Sequence, residues 1–98
     1  MTGSDITSTL KTLGLNRIQL ADLIGVNSST VYRWEHAEGE LRMDPRQTHL
    51  MLICLGIAAK PDARRLGLAI RKAIKENPLY GLYRLLQIGV GDATDTNV

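Results

Sequence analysis

Phenylalanine is missing from these 98 residues, and one tryptophan and three tyrosines are the only aromatics. Valine is scarce and no stretch alternates apolar with polar residues, so a β-sheet has little support. The single cysteine, Cys54, cannot close an internal disulfide. Its place in the apolar run HLMLICLGI suits a reduced core residue and a cytoplasmic setting. No apolar run approaches the roughly 18–20 residues of a membrane span. The opening MTGSDITSTL lacks the basic-then-apolar pattern of a signal peptide. A nucleophile–base pair, paired carboxylates and a glycine-rich phosphate loop are all lacking, so no enzymatic role is expected. His36, His49 and Cys54 fit no ligand spacing, so neither a metal nor another cofactor is expected. This length holds one domain and no separate ligand-sensing domain, so no small-molecule ligand is expected either.

Net charge is also small, +2, but its distribution is uneven. Residues 1–59 carry five Lys/Arg against six Asp/Glu, net −1. Residues 60–75 carry Lys60, Arg64, Arg65, Arg71, Lys72 and Lys75 against Asp62 alone, net +5. Residues 76–98 are net −2. The basic segment is either a solvated helix face or a phosphate-facing patch.

What is present is helical punctuation. Ile6, Leu10 and Leu13 share one face of a helix from about Asp5 to Leu13, with Ser4 as its cap and Gly14 as its stop. Asn16 and Gln19 form the two halves of a capping box for a helix over 17–24, ended by Gly25. Asn27 caps a helix reaching about His36 through its side chain. Asp44, Pro45 and Gln47 open the next helix in the same way as Asn16 and Gln19. A basic helix over 63–76 ends at Asn77-Pro78, and a sixth covers 79–88. The expected fold is all-α, a compact bundle of five or six short helices. One domain spans 1–90, with a core unit at 1–58, C-terminal helices at 62–88, and a flexible tail at 91–98.

The informative stretch is GVNSSTVYRWE, Gly25 to Glu35. Two short helices flank Gly25-Val26-Asn27, a link too short for anything but a tight corner. Their apolar residues must therefore meet in one small core, which is the layout of a helix-turn-helix. Burying Val31 and Trp34 sets the rotation of the later helix, at about 100° per residue. Ser28, Ser29 and Arg33 then point away from the core. Arginine can grip guanine O6 and N7 with two hydrogen bonds, and serine hydroxyls can donate or accept at base edges. Asn27 and the nearby backbone N–H groups can hold a phosphate.

Residues 16–35, NRIQLADLIGVNSSTVYRWE, resemble the helix-turn-helix of the Xre/Cro family of phage repressors and related bacterial regulators. Leu20-Ala21, Gly25-Val26, Thr30-Val31 and Trp34-Glu35 carry the resemblance without a gap. It extends more loosely over residues 5–58. It implies a lambda repressor-like fold in which the third helix lies in the major groove of double-stranded DNA. It also implies Ser28, Ser29 and Arg33 as base contacts, with Asn27, Arg17, Tyr32, Arg42 and Arg46 on the backbone. Arg17 stands where the family usually has a glutamine that buttresses the recognition helix.

Members of that family usually pair, placing two recognition helices ~34 Å apart. Leu79, Leu82, Tyr83 and Leu86 are the expected dimer contacts, because the last helix has more apolar side chains than a one-sided helix needs. The alternative is that this helix packs back within its own chain. The expected function is a dimeric repressor of a palindromic operator, its own promoter among the candidates. Two rivals remain: an antitoxin of the same fold that also covers a toxin, and a helical protein–protein adaptor without DNA binding.

Overall fold

The computed structural model describes residues 1–96, with side chains through Gly89. Among the described residues the chain forms six helices and no strand: α1 Gly3–Leu13, α2 Arg17–Ile24, α3 Ser28–His36, α4 Pro45–Ala58, α5 Ala63–Glu76 and α6 Pro78–Thr96. The helix expected over 79–88 runs on to Thr96, across most of the segment expected as a tail at 91–98, and residues 97–98 lie outside the described residues.

Local chemistry starts most of these helices. Asn16 Oδ1 accepts the Gln19 amide at 2.8 Å, and Gln19 Oε1 accepts the Asn16 amide at 3.0 Å. Asp44 and Gln47 repeat that exchange at 2.7 and 3.1 Å, with Pro45 next to the cap. Two expected caps need correction. α1 begins two residues earlier than the sequence suggests, with Thr2 as its cap; Asp5 accepts the Thr2 amide at 2.9 Å, leaving Ser4 inside the helix. Asn27 occupies the N-cap position of α3 with extended backbone, but its side chain makes no capping hydrogen bond. Asn77 is also extended, as a residue before proline must be, and its Oδ1 accepts the Leu79 amide at 2.9 Å.

The core gathers one stripe from each helix. Ile6 and Leu13 of α1, Leu20, Leu23 and Ile24 of α2, Val31 and Trp34 of α3, Met51, Cys54 and Ile57 of α4, and Ile70 of α5 are all buried. Leu85 brings α6 into the same core. The last helix therefore does pack back on its own chain, through Gly81, Leu85 and the half-buried Leu82 and Ile88. Leu82, expected at a dimer contact, faces this core. Leu79, Tyr83 and Leu86 remain exposed on the other side of α6.

Candidate nucleic-acid interface

The corner between α2 and α3 depends on Gly25. Its backbone sits in the left-handed region, φ 84° and ψ 36°, where a Cβ would be strained. Its amide donates to Ala21 O at 2.8 Å and the Val26 amide donates to the same oxygen at 3.0 Å, so the chain reverses in three residues. From the other side, Arg46 Nη1 donates to Ile24 O at 2.7 Å. The Arg46 guanidinium also lies where a Gly25 side chain would go, 3.1 Å from an ideal Cβ. A cation thus closes the C-terminus of α2, where orphan carbonyls and the helix dipole favour positive charge. This contact spans 22 residues of sequence.

α3 is rotated as the burial of its anchors dictates. Val31 is fully buried and Trp34 is 6% exposed, while Ser28, Ser29, Tyr32 and Arg33 face solvent. Arg33 Nη2 donates to Thr30 Oγ1 at 3.1 Å, a surface contact within one turn. With Asn27 making no side-chain cap, the orphan amides at the start of α3 are left for another acceptor.

Arg17 is the side chain whose surroundings were least legible. Its Nε pairs with Glu35, which is largely buried, and its guanidinium lies 4.7 Å from the Tyr32 ring centroid. Tyr32 stacks on His36, ring centroids 4.2 Å apart. His36 Nδ1 in turn approaches Tyr32 O at 2.9 Å. An arginine therefore ties the first turn of α2 to the outer face of α3, from the position where the resemblance leads one to expect a glutamine.

Two hollows flank α3. One, of about 460 Å³, opens between the first turns of α2 and α3 and is lined by Asn16, Arg17, Ile18, Ser28, Ser29 and Tyr32. The other, of about 400 Å³, brings Arg33 and Thr30 together with Arg42 and Gln47 across the loop before α4. The base-edge candidates are thus divided between the two hollows, Ser28 and Ser29 with Arg17 and Tyr32 in one and Arg33 with Arg42 in the other. Asn27 starts the same helix, and Arg46 reaches it only through the carbonyl of Ile24. Ile18 was missed by sequence reasoning. It is 63% exposed in the first hollow, and its position off the Leu20–Leu23–Ile24 stripe was the available signal.

Among the described residues no group of His, Cys, Asp or Glu could hold a metal ion, and no helix is long and apolar enough to cross a membrane. No family model, curated protein or solved structure matches the chain.

Proposed function

We propose that this protein is a sequence-specific DNA-binding regulator that inserts α3 into the major groove. The observation that carries the reading is the orientation of α3: Val31 and Trp34 are buried, so Ser28, Ser29 and Arg33 are left exposed to solvent. A helix about 10–12 Å across fits a groove about 12 Å wide. Arg42 and the free amides of α3 suit phosphates at its edges. Arg17 has a double part, bracing α3 through Glu35 while keeping its cation at the groove rim.

Two such units acting as a dimer on a palindromic operator form the repressor proposed here, with its own promoter as the first site to examine. The exposed Leu79, Tyr83 and Leu86 support pairing through α6. The test is selection from a random double-stranded DNA pool, followed by a footprint on the DNA upstream of its own gene. An enriched inverted repeat protected in both halves is expected. Recovery of no sequence above background would sink the reading.

A further inference from the structure

The densest charge on the chain lies outside the reading edge, and packing determines where it goes. α5 turns Gly67, Ile70 and Ile74 inward and leaves Arg64, Lys72 and Lys75 exposed. Arg65 is engaged by the Asp62 carboxylate at 2.5 Å, which holds that carboxyl below its ordinary pKa. Close approach of Gly67 to Leu13 presses α5 onto the end of α1, and Arg71 lies across Gly14. Arg71 Nε is buried there without a hydrogen-bond partner among the described residues.

A hollow of about 390 Å³ follows, with Arg71, Lys72 and Lys75 on one wall and Asn16 and Gln19 from the start of α2 on the other. Next to it, Arg64 and Lys11 line a smaller hollow that shares Gly14 and Arg71. Asn16 also lines the hollow that contains Ser28 and Ser29. One asparagine therefore separates the cationic wall from the reading edge.

We propose that Arg71, Lys72 and Lys75 bind phosphates of the duplex flanking the segment read by α3. The DNA is then held along a track from the first turn of α3, past Asn16, to α5. This rests on the DNA-binding reading above and adds a second contact region to it. From Arg64 to Lys75 the cations extend over about 16 Å of helix, at 1.5 Å per residue. Such a row suits a polyanion better than a single small anion. It also resolves a difficulty in the charge distribution: residues 1–59 are net −1, a poor basis for holding DNA, whereas α5 supplies sequence-independent affinity.

The test is a titration of a short labelled duplex of random sequence over a range of KCl concentrations, followed by fluorescence anisotropy. Wild type is compared with Lys72→Ala/Lys75→Ala, with Lys72→Arg/Lys75→Arg, and with Arg84→Ala, an exposed cation on α6 that lines neither hollow. Thermal melting checks that each variant is folded. The slope of log K against log[salt] is expected to fall by about 1.8 in the double alanine variant, about 0.9 for each phosphate lost. The arginine pair and Arg84→Ala should keep the wild-type slope. An unchanged slope in the double alanine variant overturns the α5 contact while leaving the α3 reading intact. An equal fall in Arg84→Ala overturns it by assigning the effect to net charge. Wild type that shows no salt-dependent binding overturns both.

Discussion

Arg33 is exposed beside the buried Trp34, and its described hydrogen bond reaches only Thr30, one turn back. An exposed contact of this kind contributes little net free energy, about 1 kcal/mol or less. Docking against guanine can therefore break it at small cost and replace it with two charge-assisted bonds. Arg33→Ala is expected to weaken operator binding by ~1–3 kcal/mol and to relax the preference at one base pair. Titration against the operator and its single-base variants checks this, and undiminished discrimination at every position would remove Arg33 from the edge. Cys54 is the opposite case, a side chain whose environment is wholly internal. Burial pushes its thiol up to about 12, with a backbone hydrogen bond acting in the opposite direction. The unfolded thiol ionises near pH 8.5, so above that pH the unfolded chain binds fewer protons than the folded one. Stability must then fall as pH rises, by up to about 1.4 kcal/mol per pH unit from this group until the folded value is reached. Denaturant melts of wild type and Cys54→Ala should diverge in slope above pH 9. Parallel curves would mean that the thiol ionises freely in the native state.

At the scale of elements, the joint between α1 and α5 is set by one missing side chain. An ideal Cβ at Gly67 would stand 2.2 Å from Leu13 O and 2.8 Å from Leu13 C and Cα. Those are backbone atoms, so no rotamer change relieves the clash and the helices must separate. Such overpacking costs ~1–3 kcal/mol, and a backbone overlap this deep belongs at the upper end. That outweighs the ~1 kcal/mol by which alanine is the better helix former. Gly67→Ala should lower the melting temperature by on the order of 10 °C, and an unchanged midpoint would show that the joint is looser than its geometry implies. This joint was not legible in the sequence, where Gly67 is an unremarked interruption of a basic helix. Capping was more legible, because its partners lie three residues apart. Asn16 with Gln19 and Asp44 with Gln47 identify their helices from residue types alone. Even there Ser4 was the expected cap of α1, whereas Thr2 caps it, because the Asp5 carboxylate accepts the amide three residues back. The rotation of α3 was legible because Trp34 and Val31 leave few alternatives. The clasp of Arg17 on Glu35 and the bond from Arg46 to Ile24 were not, since each joins residues from different helices about twenty positions apart. Periodicity carries no information at that range.

For the molecule as a whole, α6 separates folding from association. Its inner side is committed: Leu85 is fully buried, and Gly81 has no room for a side chain against Ile74. Its outer side carries Leu79 at 70% exposure and Tyr83 at 68%, with Leu86 one turn further on. These positions recur at i, i+4 and i+7, so they form one stripe rather than scattered surface residues. Removing that stripe from water is favourable at about 25 cal/mol per Å², and a second copy can cover it with an identical stripe about a two-fold axis. Replacing Tyr83 and Leu86 with glutamate would place four like charges in such an interface while leaving the inner side untouched. The double variant is therefore expected to sediment as a monomer with a near-normal melting temperature. Its affinity for a palindromic operator should fall steeply, because two half-sites are no longer bound as one event. Affinity per chain for random duplex should change little, since the α3 edge and the α5 cations are unaltered. Wild type that is monomeric both free and on the operator would refute pairing through α6. The stripe would then be a surface for a different protein, as the antitoxin alternative requires.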